Sequence, residues 1–203
     1  MMKLLSALPS PFGRKVKITA NLKGVADRME VELVDTSKAV NEALMAQNPL
    51  AKIPVLILDD GTRIYDSPVI CEYLDSLSET PRLFGGQGLE RTKMLTRAAL
   101  ADGILDAAIL IVYENRFRPE EKRVGSWVER QNAKIIAALD HLETNPVEWR
   151  GTPDYADVTL ACALGYLDFR LEGKWRAGRP WLVSWLEAFA AAVPAFEGTR
   201  PTA

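Results

Sequence analysis

The chain has 203 residues, 48% of them hydrophobic and 26% charged, and its net charge of −2 gives no electrostatic case for nucleic acid or an acidic membrane. No apolar run approaches the roughly 18 residues that span a bilayer, and the apolar stretch at the start is too short for a signal peptide. The two cysteines form no CxxC pair, which argues against a disulfide framework or a zinc site. We therefore expect a cytoplasmic protein that needs no metal.

The first 78 residues predict alternating strands and helices. The elements in chain order are a strand over 3–6, a helix from 11 to about 24, a strand over 29–34, a helix over 37–47, a strand over 55–58, a return strand over 63–65 and a helix from 67 to about 77. The helix over 37–47 is predicted to bury Ala39, Ala43 and Leu44. Asp60-Gly61 is a hairpin signal between the last two strands. The order is βαβαββα, which predicts a small α/β sandwich with parallel and antiparallel pairs.

A different pattern follows a segment rich in glycine and proline over residues 79–88, which we interpret as a linker. Beyond it the sequence predicts helices only, over 89–118, 120–144, 154–170 and 180–193. The predicted organisation is therefore an α/β domain over 1–78, the linker, and an all-helical domain over 89–203.

The segment from Asn48 to Pro68 carries the first chemical signal. A proline at the entrance of a strand, here Pro54, is sometimes cis, and a cis bond would leave the backbone N–H and C=O of Ile53 unpaired. An extended peptide could then pair with Ile53, and the N-terminus of the helix at Ser67 could hold an anion. The alternative is a plain hairpin followed by a capped helix.

Ser10 carries the second signal, because Ser10-Pro11 is typical of the start of a helix. A hydroxyl donor at a helix N-terminus would favour the thiolate form of a bound thiol. The alternative is that Ser10 only caps the helix, and Ser6 is a rival hydroxyl four residues earlier.

Three spaced motifs resemble the glutathione S-transferase family, and most closely its small bacterial serine-type members. Residues 10–16, Ser-Pro-Phe-Gly-Arg-Lys-Val, are similar to the serine-type signature. Residues 48–56 resemble the family's Asn-Pro-x-Gly-Lys-Val-Pro-x-Leu segment, and residues 65–74 its Asp/Glu-Ser-x-x-Ile-x-x-Tyr-Leu segment. Asp154 to Thr159 resembles the capping box of the second domain, so the likeness runs from residue 3 to about 201.

The resemblance implies the fold of that family, a thioredoxin-like N-terminal domain followed by a helical bundle, and it implies roles for individual residues. Ser10 would be the catalytic hydroxyl donor to the sulfur of glutathione. The residues implied to bind glutathione are Lys52, Ile53, Pro54, Asp66, Ser67 and, across a dimer interface, Asp102. Leu8, Phe12, Ile104 and Ile111 would line the pocket for the second substrate.

Two departures from the family motifs concern backbone geometry. Gly13 stands where the signature usually has Val or Ala, which predicts a looser first helical turn. Ala51 replaces the usual Gly, and a positive φ there would strain it.

The function implied is a cytoplasmic homodimeric glutathione transferase that conjugates the thiolate of glutathione to a small hydrophobic electrophile, with possible glutathione-dependent peroxidase activity. Glutathione would be a cosubstrate, and no metal, nucleic acid or membrane partner is expected. The alternative left open is a non-catalytic relative that keeps the fold as a binding or regulatory protein.

Overall fold

The computed structural model describes residues 1–37 and 41–201, which form two compact units. The first unit contains Met1–Gly85 and the residues from Val193 onward, and the second contains Gly86–Ala192. Among the described residues, no helix combines the length and the apolar character needed to cross a bilayer.

The first unit is built on a mixed four-stranded sheet. Its strands are β1 (Met2–Ser6), β2 (Met29–Leu33), β3 (Val55–Ile57) and β4 (Arg63–Ile64), in the spatial order β2-β1-β3-β4. β1 pairs parallel with β2 and antiparallel with β3, and β3 pairs antiparallel with β4. The predicted mixture of parallel and antiparallel pairs is confirmed.

The helices are α1 (Pro11–Leu22), α2 (Glu42–Met45), α3 (Ser67–Ser76), α4 (Gly88–Phe117), α5 (Gly125–Thr144), α6 (Tyr155–Arg170), α7 (Pro180–Ala192) and α8 (Pro194–Gly198). α2 is shorter than predicted because Asn41 begins it, its side chain accepting from the backbone N–H of Leu44 at 3.0 Å. Of the three residues predicted to be buried in this helix, Leu44 is buried, Ala43 is exposed because the helix has only one turn, and Ala39 lies outside the described residues. α5 likewise begins five residues later than predicted, after a short 3₁₀ turn over Glu120–Lys122.

The C-terminal segment from Val193 onward packs on the first unit, whereas the sequence predicted that it belongs to the helical domain over 89–203. Arg14 in α1 is buried and donates from Nη2 to the carbonyl oxygen of Phe196 at 2.6 Å. Its guanidinium carbon also lies 4.0 Å from the centre of the Phe196 ring. Pro194 ends α7 as predicted, but it also begins a further short helix, α8. The contacts of Arg14 with Phe196 hold α8 against α1.

The buried pair Lys23 and Asp75 fixes the segment that was predicted to be a linker. The two side chains meet at 2.9 Å. Asp75 also accepts from the backbone N–H groups of Leu83 at 2.9 Å and Phe84 at 3.0 Å. Burial by itself raises the pKa of Asp75, but these backbone hydrogen bonds and Lys23 together outweigh it and lower the pKa. Residues 83–84 are thus part of the packed first unit.

In the second unit α4 packs against both α5 and α6. α6 starts with the predicted capping box, in which the Asp154 side chain accepts from the N–H of Asp157 at 3.0 Å and the reverse bond measures 2.9 Å. Arg97 of α4 contacts both carboxylates. Burial and the neighbouring Asp154 carboxylate nevertheless raise the pKa of Asp157 to about 6.

Candidate functional site

The strand pairing brings three loops to one end of the sheet. Leu5 at the end of β1 is opposite Val55 at the start of β3, and Leu56 is opposite Ile64 of β4. Because both pairs are antiparallel, the segments after β1, before β3 and after β4 emerge at the same end. Those segments carry Ser10, then Ile53-Pro54, then Asp66-Ser67.

Ser10 is the half-buried N-cap of α1. Its Oγ accepts a hydrogen bond from the N–H of Gly13 at 3.1 Å, and its own N–H donates to the carbonyl of Ala7 at 3.0 Å. A hydroxyl has one donor in addition to its two acceptor lone pairs. The cap uses Ser10 as an acceptor, so its O–H can still donate to a ligand, and the two interpretations of Ser10 are compatible.

Ser6 and Gly13 fit together beneath this first turn. A Cβ at position 13 would lie 2.0 Å from the Oγ of Ser6 and 3.2 Å from its Cβ. The Ser6 side chain is completely buried, and its Oγ bonds to none of the described residues. The Ser6 hydroxyl therefore faces the Cα of Gly13, and this close approach explains the glycine at position 13, which the sequence showed only as a departure from the family motif.

The loop before Ile53 is fastened by Asn48, a residue to which the sequence had assigned no role. Its buried side chain accepts from the N–H of Leu50 and donates to the carbonyl of Lys52, both at 3.0 Å. Between them, Ala51 has φ of 51°, in the left-handed region that favours glycine. The strain expected from Ala at this position is therefore present.

The Ile53-Pro54 peptide bond is cis, as the resemblance implied. Within residues 1–37 and 41–201, no hydrogen bond is made by the backbone N–H or C=O of Ile53. Ile53 is half-buried just before β3, so it presents one unpaired donor and one unpaired acceptor at the end of the sheet, where an extended peptide can pair with them.

The N-terminus of α3 offers further polar groups. Asp66 is the exposed N-cap and its carboxylate accepts from the N–H of Ser67. The Oγ of Ser67 is buried and has no hydrogen-bond partner in the described part of the chain, and the backbone N–H of Val69, an exposed residue, makes no hydrogen bond there either. Buried hydroxyls are normally bonded, so an unpartnered one at a helix N-terminus is suited to an anion.

The remaining predicted site residues are distributed over both units. Lys52 is exposed and Leu8 is 46% exposed, whereas Phe12 is half-buried with the Lys15 ammonium 5.2 Å from its ring centre. In α4, Asp102 is half-buried, and Ile104 and Ile111 are buried in the second unit. Their assignment to glutathione binding and to the second-substrate pocket stays a prediction.

No cluster of three or more His, Cys, Asp or Glu side chains that could hold a metal occurs among residues 1–37 and 41–201. Both cysteines, Cys71 and Cys162, are buried and neither is part of a disulfide. The chemistry available at this end of the sheet is therefore that of hydroxyl, carboxylate, ammonium and backbone groups.

Comparison with known proteins identifies two family matches. Residues 9–77 match the N-terminal domain of glutathione S-transferase and residues 125–188 match its C-terminal domain. The chain is 35% identical over 190 residues to the uncharacterized GST-like protein YibF of Escherichia coli, covering 92% of each chain.

Two solved structures match over the full length of both chains. A glutathione transferase family member from Pseudomonas fluorescens Pf-5 with bound glutathione has a TM-score of 0.95 and 39% identity. A glutathione S-transferase from Methylobacillus flagellatus with glutathione bound has a TM-score of 0.87 and 35% identity.

Proposed function

This chain belongs to the glutathione S-transferase family, and from that premise we propose that it binds glutathione at the end of the sheet and activates its thiol with Ser10. The single observation that carries the proposal is the grouping of the Ser10 hydroxyl, the unpaired backbone of Ile53 and the unpartnered Ser67 Oγ at one end of the sheet. The related proteins with bound glutathione support the choice of this ligand.

Glutathione matches the polarity of these groups along its length. Its cysteinyl backbone would pair with the N–H and C=O of Ile53 beside Pro54, as an added strand does. The γ-glutamyl carboxylate would accept from the Ser67 hydroxyl at the N-terminus of α3, and the exposed Asp66 carboxylate would receive the γ-glutamyl amine. Lys52 is proposed to reach the glycyl carboxylate.

Ser10 would donate its O–H to the sulfur and so favour the thiolate. Lowering a thiol pKa by two units requires about 2.7 kcal/mol of preferential stabilisation of the thiolate. A hydrogen bond to a charged group contributes roughly 1.5–3 kcal/mol, so one hydroxyl nearly suffices. The positive end of α1 acts in the same direction.

The proposed reaction is nucleophilic attack by the thiolate on an electrophile. The proton of the thiol would pass to solvent. The sulfur would then bond to the electrophilic carbon while a leaving group departs with its electron pair, or while a conjugated double bond takes up a proton. With a hydroperoxide the same thiolate would attack the terminal oxygen and break the O–O bond, releasing an alcohol. The sulfenic acid formed would react with a second glutathione to give the disulfide and water. Product analysis distinguishes a conjugate from glutathione disulfide, so one panel of electrophiles and hydroperoxides separates the two activities.

Three substitutions at Ser10 separate the cap from the thiolate role. Ser10→Asp keeps a side chain that caps α1 but has no donor when ionised, Ser10→Thr keeps both properties, and Ser10→Ala loses both. We expect the pKa of bound glutathione, followed by the ultraviolet absorbance of its thiolate, to stay low only in the protein with Ser or Thr.

An unchanged thiol pKa in the Asp and Ala variants, with glutathione still bound, would remove Ser10 from this role. Binding of glutathione with an unshifted thiol pKa in the unmodified protein would instead favour the non-catalytic alternative. The same proposal includes a homodimer in which Asp102 contacts the γ-glutamyl amine bound by a second copy. Analytical ultracentrifugation measures the first part, and the effect of Asp102→Asn on glutathione affinity measures the second.

A further inference from the structure

Arg14 connects the first turn of α1 to the C-terminal helix α8 within the first unit. Its side chain is buried, with the residue only 4% exposed. Nη2 donates to the carbonyl oxygen of Phe196 at 2.6 Å, and Nε donates to the Oγ1 of Thr199 at 3.3 Å. The guanidinium carbon also lies 4.0 Å from the centre of the Phe196 ring. We call these three residues, Arg14, Phe196 and Thr199, the Arg14 clamp.

The α8 side of the clamp is fixed by its own contacts. Val193, which precedes α8, and Phe196 are both buried, so apolar packing anchors this segment. The Oγ1 of Thr199 donates to the carbonyl oxygen of Ala195 at 2.7 Å, and its lone pairs can still accept from Arg14. α8 therefore offers the guanidinium group two acceptors in defined positions.

The backbone next to Arg14 holds Ser10 directly. The N–H of Arg14 donates to the carbonyl oxygen of Ser10 at 3.0 Å, and the N–H of Gly13 donates to the Oγ of Ser10 at 3.1 Å. The second bond selects one of the three staggered positions of the Ser10 side chain. The direction in which the Ser10 O–H can donate is thus set by the first turn of α1.

This first turn needs a contact from outside the helix to stay closed. Gly13 lies within it, and glycine loses more conformational entropy in a helix than any other residue. A side chain that would stiffen position 13 is excluded, because its Cβ would lie 2.0 Å from the Oγ of Ser6. Arg14 is the next residue along the chain, and its clamped side chain supplies the missing constraint.

We propose that Arg14 is a positioning residue, through which α8 keeps the Ser10 hydroxyl in the orientation that donates to the sulfur of glutathione. This inference rests on the proposed function of Ser10 and adds the C-terminal segment to it. Without the clamp, the Ser10 side chain would distribute over about three staggered positions, so the fraction that can donate would fall about threefold. A threefold weaker stabilisation of the thiolate raises the thiol pKa by about 0.5 unit.

Ultraviolet titration of the thiolate of glutathione bound to the full-length protein tests the inference. Arg14→Gln should raise the pKa of the bound thiol by about 0.5 unit. Arg14→Lys keeps the charge without the planar fork and should raise it as much. Thr199→Val removes one of the two acceptors and should raise it by a smaller amount.

Two further measurements separate positioning from binding. The affinity for S-methylglutathione, measured by calorimetry, should not change in these variants, because this ligand has no thiol proton and the groups of Ile53 and Ser67 are intact. Without any ligand, exchange of the Gly13 amide hydrogen, followed by NMR, should be faster in Arg14→Gln than in the unmodified protein, since the first turn opens more often.

Two control variants separate this role from net charge and from general stability. Arg28→Gln removes an exposed arginine of the same unit and should leave the thiol pKa unchanged. Asp75→Asn breaks the buried pair with Lys23 at the other end of α1 and should also leave it unchanged. Thermal unfolding of each variant shows that it is folded, and Arg14→Lys and Thr199→Val carry the test if Arg14→Gln does not fold.

The inference is overturned if the Arg14 variants keep the thiol pKa of the unmodified protein, or if Asp75→Asn raises it as much as they do. A normal pKa in Arg14→Lys alone would mean that the charge of Arg14 acts on the thiolate, which also contradicts a positioning role. A thiol pKa that is not lowered in the unmodified protein would refute the role of Ser10 together with this inference. A lowered pKa that survives Arg14→Gln would refute this inference alone.

Discussion

Gly13→Ala tests the fit between the first turn of α1 and the sheet. The new Cβ would lie 2.0 Å from the Oγ of Ser6 and 3.2 Å from its Cβ, so the hydroxyl must rotate or the helix must shift. Overpacking of this kind costs roughly 1–3 kcal/mol. Alanine recovers about 0.5–1 kcal/mol relative to glycine inside a helix. The difference between the two ranges gives a net loss of about 0–2.5 kcal/mol in the free energy of unfolding, measured by urea titration.

Ser6→Ala provides the second arm of a double-mutant cycle. Its effect alone should be small, because the Ser6 hydroxyl bonds to no described residue. With Ser6→Ala present, the closest clash is removed and Gly13→Ala should become neutral or stabilising, with a coupling free energy of about 1–2 kcal/mol. If Gly13→Ala costs the same in both backgrounds, Ser6 is not what excludes a side chain at position 13, and the reasoning is refuted.

Three further predictions concern strain and buried charge. Ala51→Gly removes the strain of a left-handed backbone, which costs Ala about 1–2 kcal/mol, but fixing the more mobile glycine backbone costs about 0.5–1 kcal/mol in conformational entropy. The substitution should therefore raise the midpoint of urea unfolding, and a lower midpoint would contradict this. Asp75→Asn leaves the Lys23 ammonium buried without its carboxylate and should lower the free energy of unfolding by roughly 3–5 kcal/mol. Because the pKa of Asp75 is lowered in the folded protein, the difference in the free energy of unfolding between the two proteins should persist above about pH 4 and shrink only as the pH falls further. A difference that shrinks as the pH is raised would contradict this explanation. For Asp157 the pH dependence has the opposite sign, because its raised pKa means that the folded protein binds the proton more tightly than the unfolded chain. The free energy of unfolding of the unmodified protein should fall by about 3 kcal/mol relative to that of Asp157→Asn as the pH rises from about 4 through 6. Parallel curves of this free energy against pH would contradict the prediction.

Local sequence signals identified most elements of the first unit and the groups of the candidate site. Ser10 before Pro11, Asp60-Gly61 between two strands and Asp66 before Ser67 are signals whose partners lie within a few residues along the chain. Such signals can be interpreted without knowing the fold, because the hydrogen bonds involved are closed locally. The sequence could not indicate that Ser6 fills the space where a side chain at position 13 would lie, because the two residues meet only when β1 and α1 pack together.

Helix ends with distant partners show the same limit in the second unit. α7 has its first N–H groups satisfied by Glu143 of α5, which accepts from Trp181 and Leu182 at 2.9 Å each. No sequence signal next to Pro180 predicts this cap, because the acceptor lies 38 positions earlier in the chain.

The sequence by itself determined the order of strands and helices, the start of α1 and α3, and the residue types that could bind a thiol-containing peptide. Only the tertiary structure decided that the chain after Val193 returns to the first unit, that Lys23 and Asp75 fasten the segment before α4, and that Glu143 of α5 caps the first turn of α7. The physical reason is distance along the chain: periodicity and capping act over one or two turns, whereas these contacts join residues that only folding brings together.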